Sequence, residues 1–173
     1  YGWLLEQGFP EEQIIVGGDS AGGGLTLSLL LALREAGAKM PRAAVTMSPW
    51  TDLSCSSGTY SRHRSLDPII DKEGLSEAGL WYAGSRDPKD PMASPMFADL
   101  HDLPPILVQV GGDETMLDDS RIFAERARAA GVDVTYQLYD GMWHVHQSGA
   151  PDVPEAVAAY NDIAAFIRAQ FSD

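Results

Sequence analysis

The chain is short of cysteine, of basic residues and of long apolar runs, and each shortage excludes something. Cys55 is the only cysteine. It cannot form an internal disulfide and lies in a serine-rich stretch without metal-ligand spacing, so it reads as a free thiol in a reducing, cytoplasmic setting. Lysine plus arginine number 12 against 25 aspartate plus glutamate, a formal net charge of −13. Nucleic acid and anionic membrane surfaces are therefore poor partners, and the acidity is expected to serve as a solvated surface. No apolar run approaches the roughly 20 residues needed to span a bilayer. Internal repeats and low-complexity tracts are absent as well. Residue 1 is Tyr rather than Met, and Tyr1–Gln7 reads as the last turns of a helix closed by Gly8. The chain is thus expected to be part of something longer, which leaves a targeting signal upstream of Tyr1 open.

What is present fits one domain of 173 residues, 45% hydrophobic and 21% charged. The stretch that organises it is Ile14-Ile15-Val16-Gly17-Gly18-Asp19-Ser20-Ala21-Gly22-Gly23-Gly24. A short apolar strand runs into Gly18-x-Ser20-x-Gly22, and strong helix formers follow to about Ala36. Glycine-rich strand-to-helix turns also cradle phosphates, but no Lys follows these glycines, and Leu27 stands where a dinucleotide fingerprint needs its third glycine. A Gly-x-Ser-x-Gly between strand and helix is instead a nucleophile elbow, in which a strained turn lifts the serine hydroxyl clear of the sheet. Gly18 and Gly22 are expected to permit close strand–helix packing. The first helical N–H groups, that of Ala21 foremost, favour negative charge developing nearby.

Further buried strands are expected over Ala43–Ser48 and Pro105–Val110, and a partly alternating one over Val132–Tyr139. Helices are expected over Asp118–Ala130 and Pro154–Phe171, the last with Val157, Tyr160, Ile163, Ala164, Phe166 and Ile167 on its apolar side. Repeated strand–helix alternation predicts an α/β fold, a mostly parallel sheet with helices on both faces. The section 50–103 is looser. Proline punctuates it, a helix is expected from Asp67 to Ala83, and a connection of this length suggests a pocket or cap insertion.

Ligands in such sheets bind beyond the carboxyl ends of the strands. Ser20, the 111–119 loop and the 140–146 loop all fall there. A serine needs a base, and His144 follows a strand at the correct edge, with His146 as competitor. His63 and His101 lie in the irregular section, where exposure is the default. The base needs a carboxylate, and Asp113, Glu114, Asp118 and Asp119 are candidates. The last two also suit a helix N-terminus.

These residues, with Gly18-Asp-Ser-Ala-Gly-Gly23, Ser48-Pro-Trp-Thr-Asp52, Asp90-Pro-Met-Ala-Ser-Pro95, Leu103-Pro-Pro105 and Gly141-Met-Trp-His144, resemble the hormone-sensitive-lipase family of α/β-hydrolases over nearly the whole chain. The resemblance implies a serine carboxylesterase acting on short- to medium-chain acyl esters, without metal or organic cofactor. Ser20 would be the nucleophile, His144 the base and Ala21 N–H an oxyanion donor. The family's acid motif falls on Glu114, with Asp113 and Asp118 as alternatives. Trp50, Trp81 and Tyr82 are expected to pack rather than react. The family's upstream His-Gly-Gly-Gly block and first strands have no counterpart in this sequence, so what remains looks like the fold's C-terminal part. The chain alone is therefore expected to be weak or inactive, and to self-associate or take a complementing N-terminal segment. The alternative is a non-catalytic small-molecule binder on the same fold, like the plant gibberellin receptors, which resemble the family but lack the histidine. A hydrolase of another bond, amide or lactone, is a third reading.

Overall fold

A computed structural model describes residues 1–172. Four strands, β1 (Ile15–Asp19), β2 (Ala43–Met47), β3 (Ile106–Gly111) and β4 (Val134–Tyr139), form one sheet in that order. Every pairing is parallel, with Val45 opposite both Gly17 and Leu107, and Leu107 opposite Thr135. Parallel neighbours need crossovers, and helices supply them. These are α1 (Gly2–Glu6), α2 (Ser20–Glu35), α3 (Thr59–Arg62), α4 (Lys72–Ala83), α5 (Leu117–Ala129) and α6 (Pro154–Gln170).

The main core lies on one face of the sheet. Leu27, Leu30 and Leu31 of α2 and Phe123, Ala124 and Ala127 of α5 pack with Ala44, Ile106, Val108 and Val134. The other face carries α6, where Gln109 donates from Nε2 to the carbonyl of Ala159 at 2.9 Å. Helices thus cover both faces, as the alternation of elements requires. A second, smaller cluster joins Trp50, Leu53, Cys55 and Tyr60 to Met116, tying the section after β2 to the start of α5.

The strands differ in cover. All six residues of β3 are buried, whereas none of the five in β1 is. Within the described sheet β1 pairs only with β2 and forms an edge.

Four expectations need correction. The helix foreseen from Asp67 begins at Lys72, because Asp71 accepts from the Gly74 amide at 2.8 Å and caps it. The short α3 falls where no helix was foreseen. Along α6 it is Ala156 and Ala159 that are buried, while Val157 and Tyr160 are exposed. Small residues face the sheet there because the helix backbone approaches closely enough to bond Gln109. Trp81 and Tyr82 are 75% and 59% exposed rather than packed, whereas Trp50 is buried.

Candidate active site

The elbow forms as its sequence demands, with one difference. Ser20 takes φ +52°, a left-handed conformation that costs a non-glycine residue about 1–3 kcal/mol and persists only where surroundings enforce it. A Cβ on Gly18 would lie 2.4 Å from the Gly22 carbonyl oxygen, and one on Gly24 would lie 2.3 Å from that of Trp50. Gly22 itself faces open space. The close approaches therefore belong to Gly18, Gly23 and Gly24, not to Gly22, because α2 turns its first glycine away from the sheet and its next two onto Pro49 and Trp50. Ala21 lies in the first turn, where amide protons have no helical acceptor.

Ser20 Oγ lies 2.9 Å from His144 Nε2, and His144 Nδ1 lies 3.0 Å from Glu114 Oε2. A carboxylate that only accepts fixes the tautomer: Nδ1 carries the proton, and Nε2 is left to accept from the serine hydroxyl. Glu114 is fully buried and His144 is 5% exposed, so the pair is shielded from water. Burial pushes the Glu114 carboxyl above its ordinary value. The His144 bond, the Ser48 hydroxyl and the Gly111 amide act in the opposite direction. Oε1 accepts from Ser48 Oγ and from Gly111 N–H, each at 2.6 Å. Ser48 Oγ in turn accepts from Val145 N–H at 3.1 Å. Ser20, Ser48 and Val145 are three of the five non-glycine residues with positive φ among the described residues, so strain gathers at this site.

The other candidates go elsewhere. Asp118 is engaged by Arg121, by Arg62 at 3.1 Å and by the Thr59 amide at 3.2 Å. Burial alone would raise its carboxyl, but these donors hold it below its usual value. Asp113 contributes its backbone N–H to the Met142 carbonyl at 3.0 Å, and its carboxylate makes no bond to His144. Asp119 is buried and accepts from the amides of Thr51 and Asp52, each at 3.0 Å. Neither Asp118 nor Asp119 caps α5, although both lie in its first turn. His146 is buried against Tyr139, ring centroids 4.7 Å apart, and among the described residues neither ring nitrogen has a partner. His101 is exposed beside Asp99 and Asp102.

A family model for the alpha/beta hydrolase fold matches residues 1–148. A crystal structure of an esterase from the bacterial hormone-sensitive lipase family superposes on 99% of the chain, with TM-score 0.96 and 45% identity. The chain belongs to the hormone-sensitive-lipase family of α/β-hydrolases. Curated relatives include an esterase of Acinetobacter venetianus, 42% identical over 96% of this chain, and an acetyl-hydrolase of Streptomyces hygroscopicus, 40% identical over 97%. This chain spans 55% and 56% of those proteins and 58% of the crystallised esterase.

Three residues that touch the acid or the peptide that follows it were not singled out in the sequence. Ser48 appeared only as part of a block, although its place at the carboxyl end of β2 could have marked it. His63, expected to be exposed, is half-buried, with Nδ1 3.0 Å from the Glu114 carbonyl oxygen. Asp67, expected to open a helix, accepts from the Thr115 amide at 2.9 Å. Between the first turns of α2 and the 50–103 section lies an apolar cavity of about 130 Å³, lined by Ala21, Gly24, Leu25, Trp50, Leu53 and Tyr82 among others.

Proposed function

We propose that this chain carries the triad of a serine carboxylesterase, with Ser20 as nucleophile, His144 as general base and Glu114 as the acid. The observation that carries this reading is the unbroken run Glu114–His144–Ser20, at 3.0 and 2.9 Å. Ser20 Oγ attacks the ester carbonyl while His144 Nε2 takes its proton. Glu114 holds the imidazole and stabilises the imidazolium. The Ala21 N–H donates to the oxyanion. Collapse returns the proton to the departing alcohol, and water drawn through the same base releases the acid. No step calls for a cofactor.

Short acyl chains fit the cavity beside Ala21. An apolar cavity of about 150 Å³ accommodates benzene, so about 130 Å³ holds a short acyl group. In this reading the 50–103 section walls the acyl pocket through Trp50, Leu53 and Tyr82. Among the described residues this reading assigns one backbone donor to the oxyanion, the Ala21 N–H, and each missing donor costs about 10²–10³ in rate, so turnover by this chain alone is expected to be weak. The open edge of β1 ends at the nucleophile and is the natural place for a second copy or a complementing segment to pair. A monodisperse monomer turning over at the rate of its relatives would contradict both statements.

Hydrolysis of p-nitrophenyl acetate and butyrate tests the reaction. Slow release that Ser20→Ala abolishes supports the reading. Release that survives Ser20→Ala would remove it.

A further inference from the structure

Glu114 sits in an irregular loop between β3 and α5, and its carboxylate is held at one oxygen by Ser48 and Gly111. Its backbone is held separately. The Glu114 carbonyl oxygen lies 3.0 Å from His63 Nδ1, and since a carbonyl can only accept, that nitrogen donates. The Thr115 amide donates to Asp67 Oδ2 at 2.9 Å. That carbonyl and that amide belong to one peptide group, and in a trans peptide they point in opposite directions. His63 and Asp67 therefore take hold of the same peptide plane from its two ends.

The grip is itself braced. The His63 carbonyl accepts from the amides of Leu66 and Asp67, at 2.9 and 3.2 Å, which closes the turn between the two side chains. Asp67 Oδ1 accepts from Ile69 N–H at 3.0 Å. At the other end, Thr59 and Asp118 exchange bonds, Thr59 N–H to Asp118 Oδ2 and Asp118 N–H to Thr59 Oγ1. A turn built only to cross the surface would not direct two polar side chains onto the one peptide that carries the acid.

We infer that His63 and Asp67 are positioning residues for Glu114, gripping the Glu114–Thr115 peptide so that the carboxylate stays aimed at His144. The inference rests on the triad reading above but touches neither substrate nor the reacting atoms. It acts entirely through the direction of one side chain.

The test needs a readout that a simple loop tether would not move and that does not require turnover. The Nδ1–H proton of His144, followed by NMR in chain labelled at histidine, reports its bond to Glu114. The rate of fluorophosphonate capture at Ser20 reports the reactivity that depends on it. A displacement of about 1 Å in an active site costs up to about 100-fold, so His63→Ala and Asp67→Ala should slow capture by about 10- to 100-fold and weaken the deshielded proton signal. His63→Asn places an amide nitrogen where imidazole Nδ1 stood, and should restore capture to within about threefold of the parent. Asp67→Asn, nearly the same shape, keeps one acceptor oxygen where Asp67 serves the amides of Ile69, Ile70 and Thr115, and should give a partial loss even if Asp67→Ala folds poorly. In a Glu114→Gln background neither change should slow capture further, because the residue they act through is already lost.

Losses that multiply in the Glu114→Gln background, or a proton signal unmoved by all four variants, would reduce His63 and Asp67 to ordinary tethers. The two levels of the reading separate cleanly. If Ser20 in the parent is not captured but the proton signal responds to the variants, the clamp stands and the hydrolase reading falls. If capture is normal and the signal does not move, the clamp falls alone.

Discussion

The two ends of the site are built by different means. At the serine end, position comes from backbone pressed on backbone: Gly18 against Gly22, Gly23 against Pro49, Gly24 against Trp50. The strand beneath is an edge with no buried residue, and Ser20 itself is half-buried. At the acid end, position comes from side-chain hydrogen bonds inside a covered interior, with β3 buried throughout and Glu114 fully enclosed. A nucleophile has to be reached by substrate, so its turn is stiffened by the main chain without walls. An acid has only to be aimed, so it can be enclosed and anchored by Ser48, Gly111, His63 and Asp67.

The comparison is sharpened most by removing the charge at the buried end. Glu114→Gln keeps the shape but presents an amide to His144 or Ser48, and should slow hydrolysis and capture by about 10³–10⁴, the scale on which a triad acid acts through the histidine tautomer. A loss below tenfold would say that the acid end contributes little. Next comes the backbone at the serine end. Gly24→Ala should lower stability by about 1–3 kcal/mol, read as a fall in the urea midpoint, because its Cβ meets a carbonyl oxygen that has no free side-chain end to move. Gly22→Ala, with nothing near its Cβ, should leave that midpoint unchanged or slightly raised. Equal effects at the two glycines would break the account of how the elbow is packed.

Smaller effects come from buried groups that the reaction does not use. Burial pushes the Asp119 carboxyl well above its ordinary value, and the neighbouring Asp52 carboxylate adds to this. The folded chain then holds a proton that the unfolded chain has released. Stability from this group is present at acidic pH and is lost as pH rises above the unfolded value of about 4. Burial lowers His146 below 6.5, so the folded chain resists a proton that the unfolded chain accepts. Its contribution is present above about pH 6.5 and falls away on acidification below it. Urea midpoints across pH should show Asp119→Asn flattening the first trend and His146→Phe the second. His146→Phe also removes two buried nitrogens that lack partners, so it should not destabilise at neutral pH. A curve left unchanged by either substitution would mean that its group titrates alike in folded and unfolded chains.

Much of the fold was legible because its signals are local. An apolar run bounded by prolines reads as a buried strand, and Ala43–Met47, between Pro41 and Pro49, is one. Gly-x-Ser-x-Gly between strand and helix locates the elbow without knowledge of the rest. The acid's supports were not legible in the same way. His63, Asp67 and Ser48 reach Glu114 or Thr115 across 51, 48 and 66 residues, through single side chains to the main chain or the carboxylate. No periodicity records such contacts. Gly22 was misread for a related reason: the motif fixes where the turn lies, but only the direction of α2 decides which glycine meets backbone.

The most direct test of the central claim is mapping a fluorophosphonate adduct on the folded chain. The account predicts one adduct, on Ser20, its formation suppressed in His144→Ala and absent after unfolding in urea. Labelling that falls on another residue, or on Ser20 at the same rate with His144 removed, would contradict it.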